Sequence, residues 1–353
     1  MRILWINGNP NKNAGGTETH SIHFINALYK MKDIDLFVAV AKNSFVDRNI
    51  HIPASRKVYI KIDKELSPIS TVKLVRFARQ VQPDFVIGNN GNEYINTYLT
   101  AKFSGAKAVV FRHMTNKQPF FLKKFIFPNL TIFAVSDYVK EKLLKDGVKS
   151  SIKVIPNFLS KDFEFNEKKR KHLRKELNLD NKIVFLFVGK VDEGKGIFDF
   201  IDTIKSLQSE NVEAFVVGYG KDFEKAQDLA KNVKNINFVG KVNNVIDYYL
   251  LSDVFLMPSH ADESFGRTVI EAMATKNIIV AYKSGNIPYL VQDGINGFLA
   301  ENKKELIVKS QYILDNIEKL NPIRENAYSF FKENFSESIV LDKFVKALKE
   351  IKK

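Results

Sequence analysis

Two glutamates, Glu263 and Glu271, flank a Phe-Gly pair just after an apolar run and are well placed to bind a polar ligand. The run Val254–Met257 predicts a buried parallel strand, and residues 265–274 predict a helix. Glu263 would then lie just before the helix N-terminus, where free backbone N–H groups and the positive end of the helix dipole meet the carboxyl end of a strand. Ligands bind at such positions in open α/β sheets, and a carboxylate there can hold sugar hydroxyls. Two solvated helix-end carboxylates are the alternative.

A second loop, residues 189–196, nearly matches the phosphate-binding pattern Gly-x4-Gly-Lys-[Ser/Thr]. It lies between the predicted strand Ile183–Val188 and a predicted helix. Its last position is Gly196, so the hydroxyl that would bind Mg²⁺ is missing, which argues against an ATPase or GTPase. Lys190 and Lys195 remain as two cations in this loop, with solvated loop lysines as the alternative.

Other loops that follow predicted strands carry glycines. The pair Gly15-Gly16 follows the first strand, and glycine allows a backbone to approach an anion closely. Gly218-Tyr219-Gly220 and residues 238–242 have similar positions in the second half, where ordinary strand-to-helix turns are the alternative. His113 ends a predicted strand, and a lone histidine at such a place is more often structural.

Composition and charge limit the class of protein. The chain has 353 residues, suiting two domains, and its 45% hydrophobic residues are enough for packed cores. It has no cysteine, which excludes disulfides and thiolate metal sites. Residues 1–157 carry 24 Lys and Arg against 11 Asp and Glu, whereas residues 158–353 carry 30 against 29. The basic first half indicates an anionic partner, unless its lysines serve only solubility.

The apolar segments limit the location of the protein. The N-terminal apolar run, residues 3–6, is too short for a signal peptide. No run approaches the ~18 apolar residues that a membrane-spanning helix needs. We therefore expect a cytoplasmic protein, with association at the inner face of the cell membrane as a further expectation.

Strand-like and helix-like segments alternate in two series, which predicts an α/β protein with two doubly wound parallel sheets. The expected domains are residues 1–157 and 158–335, followed by a long amphipathic helix at about 336–353. The predicted strands are residues 2–7, 35–40, 84–88, 108–113, 130–135 and 152–155 in the first half, and residues 183–188, 214–217, 236–239, 254–257 and 278–281 in the second.

The ordered motifs resemble those of retaining, nucleotide-sugar-dependent glycosyltransferases of family 4. The set comprises Gly-Lys-x4-Lys-Gly, Gly-x-Gly, Pro-Ser and Glu-x7-Glu around Phe-Gly, beginning at Gly189, Gly218, Pro258 and Glu263 respectively. This resemblance implies the GT-B fold, with two Rossmann-like domains facing a cleft. The first domain would bind the acceptor, the second the nucleotide-sugar donor, and the C-terminal helix would cross back to the first domain.

The resemblance also implies roles for individual residues. Lys190 and Lys195 would neutralise the leaving diphosphate, and His113 would touch the donor sugar. At position 190 the family usually has arginine, and lysine keeps the charge but loses the bidentate fork. Glu263 would hold the donor sugar hydroxyls and Glu271 the ribose diol. The remaining donor-binding residues would be Gly16, Gly189, Gly218, Val239, Gly240, Ser264, Phe265 and Gly266.

The reaction implied is transfer of a sugar from a nucleoside diphosphate to an acceptor hydroxyl, with retention at the anomeric carbon. We expect a glycan or lipid-linked acceptor, in cell-surface polysaccharide or glycolipid assembly. One rival is a sugar-nucleotide epimerase on the same fold, and a second is a non-catalytic nucleotide- or membrane-binding protein.

The charge pattern and the lack of a clear metal-binding motif indicate which partners to expect. No metal and no other cofactor is expected, because Asp33-Ile34-Asp35 is more typical of a solvated turn than of a metal motif. No nucleic acid is expected. Residues 117–128 mix lysines with aromatic and aliphatic residues and, together with Lys73, Arg76 and Arg79, could rest on an anionic membrane surface. An amphipathic segment packed on the first domain is the alternative.

Overall fold

The computed structural model of the protein describes residues 1–13, 15–161, 163–207 and 209–352. The chain divides into two compact units, an N-terminal unit of Met1–Phe158 with Val340–Lys353 and a C-terminal unit of Leu159–Ile339. The N-terminal unit holds a seven-stranded sheet and the C-terminal unit a six-stranded sheet. All neighbouring strands in both sheets run parallel, so the predicted α/β class with two parallel sheets is confirmed.

The sheet of the N-terminal unit has the order β3-β2-β1-β4-β5-β6-β7. The order reverses between β1 and β4, and the loops after these two strands therefore diverge and leave a crevice at the carboxyl ends. The strands are β1 Arg2–Asn7, β2 Asp35–Val40, β3 Lys57–Tyr59, β4 Phe85–Gly88, β5 Lys107–Arg112, β6 Thr131–Ala134 and β7 Ser151–Val154. The helices are α1 Gly16–Tyr29, α2 Phe45–Asn49, α3 Pro68–Val81, α4 Tyr94–Ser104 and α5 Asp137–Lys145.

The sheet of the C-terminal unit has the order β10-β9-β8-β11-β12-β13, which reverses between β8 and β11. Its strands are β8 Ile183–Val188, β9 Val212–Val217, β10 Ile236–Gly240, β11 Val254–Met257, β12 Ile278–Tyr282 and β13 Phe298–Ala300. The helices are α6 Glu167–Glu176, α7 Ile197–Leu207, α8 Phe223–Ala230, α9 Ile246–Leu251, α10 Arg267–Ala274, α11 Ile287–Leu290, α12 Lys303–Asn316 and α13 Asn321–Phe335.

Continuous apolar strands explain the parallel sheets. All four residues of β11 are buried, as are all six of β9 except Glu213. Strands covered on both faces read as such apolar runs rather than as alternating patterns. The core of the C-terminal unit combines β8 and β9 with the apolar side of α7, where Phe200, Ile201 and Ile204 are buried.

The last helix of the chain lies where the sequence predicts an amphipathic helix, at about 336–353. Ser336 is extended and separates α13 from the last helix, α14 Glu337–Lys352. From Val340 onward α14 belongs to the N-terminal unit. Phe344 is buried there, with its ring centroid 5.3 Å from that of Phe24 and 5.8 Å from that of Phe133. This aromatic packing holds the end of the chain against the first sheet.

The short edge strands β3 and β13 were not predicted, because three-residue strands give no period that can be read from sequence. Among the helices of the described residues, none combines the length and the apolar character needed to cross a bilayer.

Candidate functional site

The loop that follows β8 is built around the carboxylate of Asp192. Asp192 caps a short 3-10 turn, Glu193–Lys195, by accepting a hydrogen bond from the backbone N–H of Lys195 at 3.0 Å. Its other carboxylate oxygen lies 3.2 Å from Nζ of Lys190. One aspartate therefore orients the loop that carries both predicted cations, although the side chain of Lys190 remains 63% exposed.

Gly196 brings this loop onto the loop that follows β11. Its φ is +78°, and a Cβ at this position would overlap the carbonyl oxygen of Pro258. The carbonyl of the nearby Gly194 accepts hydrogen bonds from the backbone N–H groups of His260 and Ala261 at 3.0 and 3.1 Å. Only glycine permits this approach without strain, since other residues rarely adopt a positive φ and would carry the clashing carbon.

The two joined loops bring Lys195 and Glu263 together. Their side chains form an ion pair, and the hydroxyl of Ser259 donates to Oε1 of Glu263 at 2.8 Å. The side chain of Lys195 is 35% exposed and that of Glu263 is 16% exposed, so the pair is partly shielded but reachable. The pair borders a cavity of about 130 Å³ lined by Phe187, Val188, Gly189, Lys195, Leu256, Met257, Ser259, Glu263, Arg267 and Thr268.

A third loop, after β12, fixes the backbone of Glu263. A Cβ on Gly285 (φ +55°) would overlap the Glu263 backbone, so glycine is again required. The N–H of Asn286 donates to the carbonyl of Glu263 at 2.7 Å, and its side-chain amide donates to the carbonyl of Phe265 at 2.8 Å. Gly285 and Asn286 therefore hold the loop that carries the glutamate.

The helix after Glu263 begins later than predicted. Gly266 has φ +83° and precedes α10, which starts at Arg267 instead of residue 265. A left-handed residue cannot continue a right-handed helix, so Phe265 stays outside α10. Its ring is buried 6.0 Å from the ring of Phe335. Ser264 and Phe265 thus lie in the loop between Glu263 and the start of α10.

Glu271 lies on α10 and is engaged within the protein. One carboxylate oxygen accepts from Nε of Arg267 at 2.8 Å, and the other accepts from the hydroxyl of Tyr249 at 3.0 Å. Burial and the neighbouring Glu271 charge raise the pKa of Tyr249, so this hydroxyl stays a donor. Arg267, which was not predicted, lines the cavity and connects Glu271 to it. Its spacing of four residues from Glu271 on a helix could have indicated the pair.

The glycines at the ends of neighbouring strands are joined through their backbones. A Cβ on Gly218 (φ +137°) would overlap the carbonyl oxygen of Gly189. The N–H of Gly218 donates to the carbonyl of Gly240 at 2.8 Å. Val239 precedes Gly240 in β10 and is partly exposed. Gly189, Gly218 and Gly240 therefore meet at the carboxyl ends of three neighbouring strands, β8, β9 and β10.

The remaining two predicted residues belong to the N-terminal unit. Gly16 begins α1, and a Cβ there would meet open space among the described residues outside its own turn of backbone. His113 follows β5, and its Nε2 lies 3.2 Å from Oδ1 of Asn89, whose side-chain N–H₂ donates to the carbonyl of Thr17 at 2.9 Å. Asn89 therefore connects His113 to the first turn of α1. Sequence reasoning missed Asn89, since a single asparagine after a strand carries no distinctive signal.

Within the described ranges, no group of three or more His, Cys, Asp or Glu side chains is placed to hold a metal ion. Of the Asp-x-Asp pair, Asp35 is held by Arg56 and Arg2 at 2.5 and 2.7 Å. Hydrogen bonds from these two guanidinium groups hold the pKa of Asp35 below its ordinary value, although burial opposes them. Asp35 is thus part of a structural ion pair.

Both halves of the chain match known protein families. The family described as "Glycosyl transferases group 1" matches residues 168–330, and the family described as "Glycosyltransferase Family 4" matches residues 14–163. An uncharacterized glycosyltransferase of Methanocaldococcus jannaschii is 25% identical over 96% of this chain and 94% of its own length. The lipopolysaccharide 1,2-N-acetylglucosaminetransferase of Salmonella typhimurium is 24% identical over 85% and 84%.

The fold is shared with a solved structure over nearly the whole chain. The Anabaena protein HepE, crystallised with UDP, superposes with a TM-score of 0.82 at 20% identity, covering 99% of this chain and 100% of that one. The same protein has also been crystallised with UDP-glucose. Together, the two parallel-sheet units and this likeness define a GT-B protein.

The family matches and the relatives identify the family of this GT-B protein. The chain belongs to the GT-B glycosyltransferases of the family 4 type. The predicted family and fold are thereby confirmed, while the individual site residues remain predictions.

Replacing Gly196 by alanine should lower the free energy of unfolding by about 2–4 kcal/mol, because the left-handed backbone strain adds to a clash with Pro258. The matched control is Gly294→Ala, which has φ +75° in the same unit and open space around the new carbon. It should cost only about 1 kcal/mol. Urea unfolding followed by circular dichroism measures both, and equal losses would contradict a required contact at Gly196.

Proposed function

We propose that the protein transfers a sugar from a nucleoside diphosphate to an acceptor hydroxyl, with retention at the anomeric carbon and without a metal ion. The observation that carries the proposal is the Lys195–Glu263 pair beside the cavity at the carboxyl ends of β8 and β11. Strand order reverses between these strands, which is where open α/β sheets bind nucleotides. A cation and a carboxylate side by side match the two parts of the donor, its diphosphate and its sugar.

Lys195 is proposed to stabilise the negative charge that grows on the departing diphosphate. Its Asp192 cap and the neighbouring Gly196 fix its backbone, so the ammonium group is largely preorganised. Preorganised charge contributes to catalysis because it needs little rearrangement during the reaction. Lys190, which is more exposed than Lys195, is proposed to assist in neutralising the diphosphate. As a lysine in the place of an arginine, it would act as a point charge without a bidentate fork.

Glu263 is proposed to hold the hydroxyls of the donor sugar. Its backbone is fixed by Asn286 and its side chain by Ser259 and Lys195, so one oxygen already has defined partners. A carboxylate held in this way can accept hydrogen bonds from sugar hydroxyls in a set direction. Glu271 is proposed to hold the ribose diol. Its carboxylate already accepts hydrogen bonds from Arg267 and Tyr249, so one of these two side chains must share the carboxylate with the diol or move away from it.

The donor class and the pathway are inferred from relatives. The Anabaena protein binds UDP and UDP-glucose, so a uridine diphosphate sugar is the first donor we propose. The Salmonella relative acts in lipopolysaccharide synthesis by its name, which supports a glycan or lipid-linked acceptor in cell-surface assembly. Two alternative functions predict different products. An epimerase would invert one stereocentre of the donor sugar without an acceptor, and a non-catalytic protein would bind nucleotide without turnover.

Replacing Lys195 by alanine should lower turnover at least tenfold, because a preorganised charge on a developing anion contributes about 2–4 kcal/mol. Turnover is measured as release of nucleoside diphosphate from a panel of UDP-, GDP- and ADP-sugars, in parallel with and without EDTA. The control is Lys304→Ala, an exposed lysine at the start of α12 in the same unit, which should behave as wild type.

Unchanged turnover in the Lys195 variant would remove this role. Loss of wild-type activity in EDTA, restored by added metal, would contradict metal independence. Epimerised donor in place of free diphosphate would favour the first rival, and tight nucleotide binding without any product would favour the second.

The N-terminal unit is proposed to bind the anionic inner face of the cell membrane. Phe120, Phe121 and Phe125 are 71%, 52% and 50% exposed, and Nζ of Lys124 lies 5.6 and 5.4 Å from the first and last of these rings. Exposed aromatic rings with adjacent cations are typical of segments that bind the interface of anionic bilayers. By contrast Leu122, Ile126 and Phe127 are buried, so part of the segment packs on its own unit, as the alternative interpretation expects.

The protein should float with vesicles that contain phosphatidylglycerol at low salt and should dissociate at high salt, because charge attraction is screened. Phe121→Ser should weaken flotation severalfold. Phe103→Ser is the matched control, because Phe103 is also 52% exposed in the N-terminal unit but lies on α4. Equal flotation of the two variants, or no flotation of the wild type at low salt, would contradict the proposal.

A further inference from the structure

Asn89 lies directly after β4, at the reversal of strand order in the N-terminal unit, and is completely buried. Its side-chain oxygen faces two histidines. Oδ1 lies 2.7 Å from Nδ1 of His20 and 3.2 Å from Nε2 of His113. Its side-chain nitrogen donates to the carbonyl of Thr17 at 2.9 Å. One amide thus contacts both imidazole rings and the first turn of α1.

The partners of Asn89 determine which atom is which. A backbone carbonyl only accepts, so the amide nitrogen must face Thr17 and the amide oxygen must face the histidines. The amide oxygen also only accepts, so both ring nitrogens that face it must carry hydrogen. His113 is therefore protonated at Nε2, and its Nδ1 holds a lone pair whenever the ring is neutral.

The backbone around Asn89 cannot easily turn away. The buried carboxylate of Glu93 accepts from the N–H groups of Gly8, Asn89 and Asn90 at 2.7, 2.8 and 2.8 Å. The preceding residue, Gly88, packs closely against α4, since a Cβ there would overlap the hydroxyl of Thr97. The amide that faces the histidines is thereby held from both its backbone and its side chain.

The surroundings of His113 keep its ring neutral. Desolvation, with the adjacent Arg112 charge, lowers its pKa to about 4. The guanidinium of Arg112 is itself buried and donates to the carbonyl and side-chain oxygens of Asn116 at 2.7 and 2.6 Å. His113 remains partly exposed, so a ligand can reach it. A neutral ring that offers a lone pair attracts an O–H group, whereas it repels a phosphate oxygen.

We propose that Asn89 is a positioning residue that holds His113 in the Nε2–H tautomer, so that Nδ1 accepts a hydrogen bond from a substrate hydroxyl. The inference rests on the proposed function for the identity of that substrate, a hydroxyl-bearing sugar. The assignment of the His113 tautomer does not depend on the proposed function. Asn89 acts only through His113 and His20 and does not itself touch the reacting atoms.

The test is nitrogen NMR of protein with ¹⁵N-labelled histidine at neutral pH. The signals of His113 are assigned by their loss in His113→Gln, and wild-type His113 should show hydrogen on Nε2 and none on Nδ1. Asn89→Ala should shift His113 toward a mixture of tautomers. His260 in the C-terminal unit, whose Nε2 contacts Asp199 at 3.0 Å, is the internal control and should keep its signals.

Each result decides one part of the proposal. A wild-type His113 with hydrogen on Nδ1 would overturn it without any variant, even if Asn89→Ala fails to fold. An unchanged His113 tautomer in folded Asn89→Ala would also overturn it. Turnover measured as nucleoside diphosphate release should fall at least tenfold in both Asn89→Ala and His113→Gln. Wild-type turnover in His113→Gln would overturn the substrate contact, while the NMR result would still report on the tautomer separately from the proposed function.

Discussion

The site of the C-terminal unit depends on one close backbone approach, that of Gly196 to Pro258. Without it the loops after β8 and β11 could not lie against each other, and Lys195 would not reach Glu263. Gly285 makes a second approach of the same kind, to the backbone of Glu263. The loops that carry the charged pair can therefore approach each other only because two glycines lack a side chain at the points of contact.

The two units use the same topological device for different chemistry. In each sheet the strand order reverses once, and loops after the two central strands carry Lys195 and Glu263 in the C-terminal unit and Asn89 in the N-terminal unit. In the C-terminal unit these loops gather charge, with a lysine and a glutamate in contact. In the N-terminal unit Asn89 contacts two histidines, His20 on α1 and His113 after the neighbouring strand β5. A lysine suits a diphosphate, whereas a carboxylate or a neutral imidazole with a free lone pair suits a hydroxyl.

The sequence could predict the fold and the loops, but not all of the contacts within them. Apolar strands separated by helices predicted two parallel sheets, and the ordered glycines and lysines predicted which loops matter. The start of α10 was missed because the positive φ of Gly266, where a Cβ would also meet Leu290 and Ile287, cannot be read from the local sequence. The contact of Glu271 with Tyr249 and the orientation of Asn89 could not be predicted, since hydrogen bonds between distant residues leave no local pattern. The contact of Glu271 with Arg267 is local, and its spacing of four residues on a helix could have indicated it.

Isothermal titration of UDP and of UDP-glucose into wild type, Lys195→Ala and Glu263→Gln tests the central claim most directly, namely that this pair divides the donor into diphosphate and sugar. The account predicts that Lys195→Ala loses affinity for both ligands. Glu263→Gln should bind UDP at least as tightly as wild type and should lose only the additional affinity that the sugar provides. Wild-type affinity for UDP in Lys195→Ala, or an equal loss for both ligands in Glu263→Gln, would contradict it.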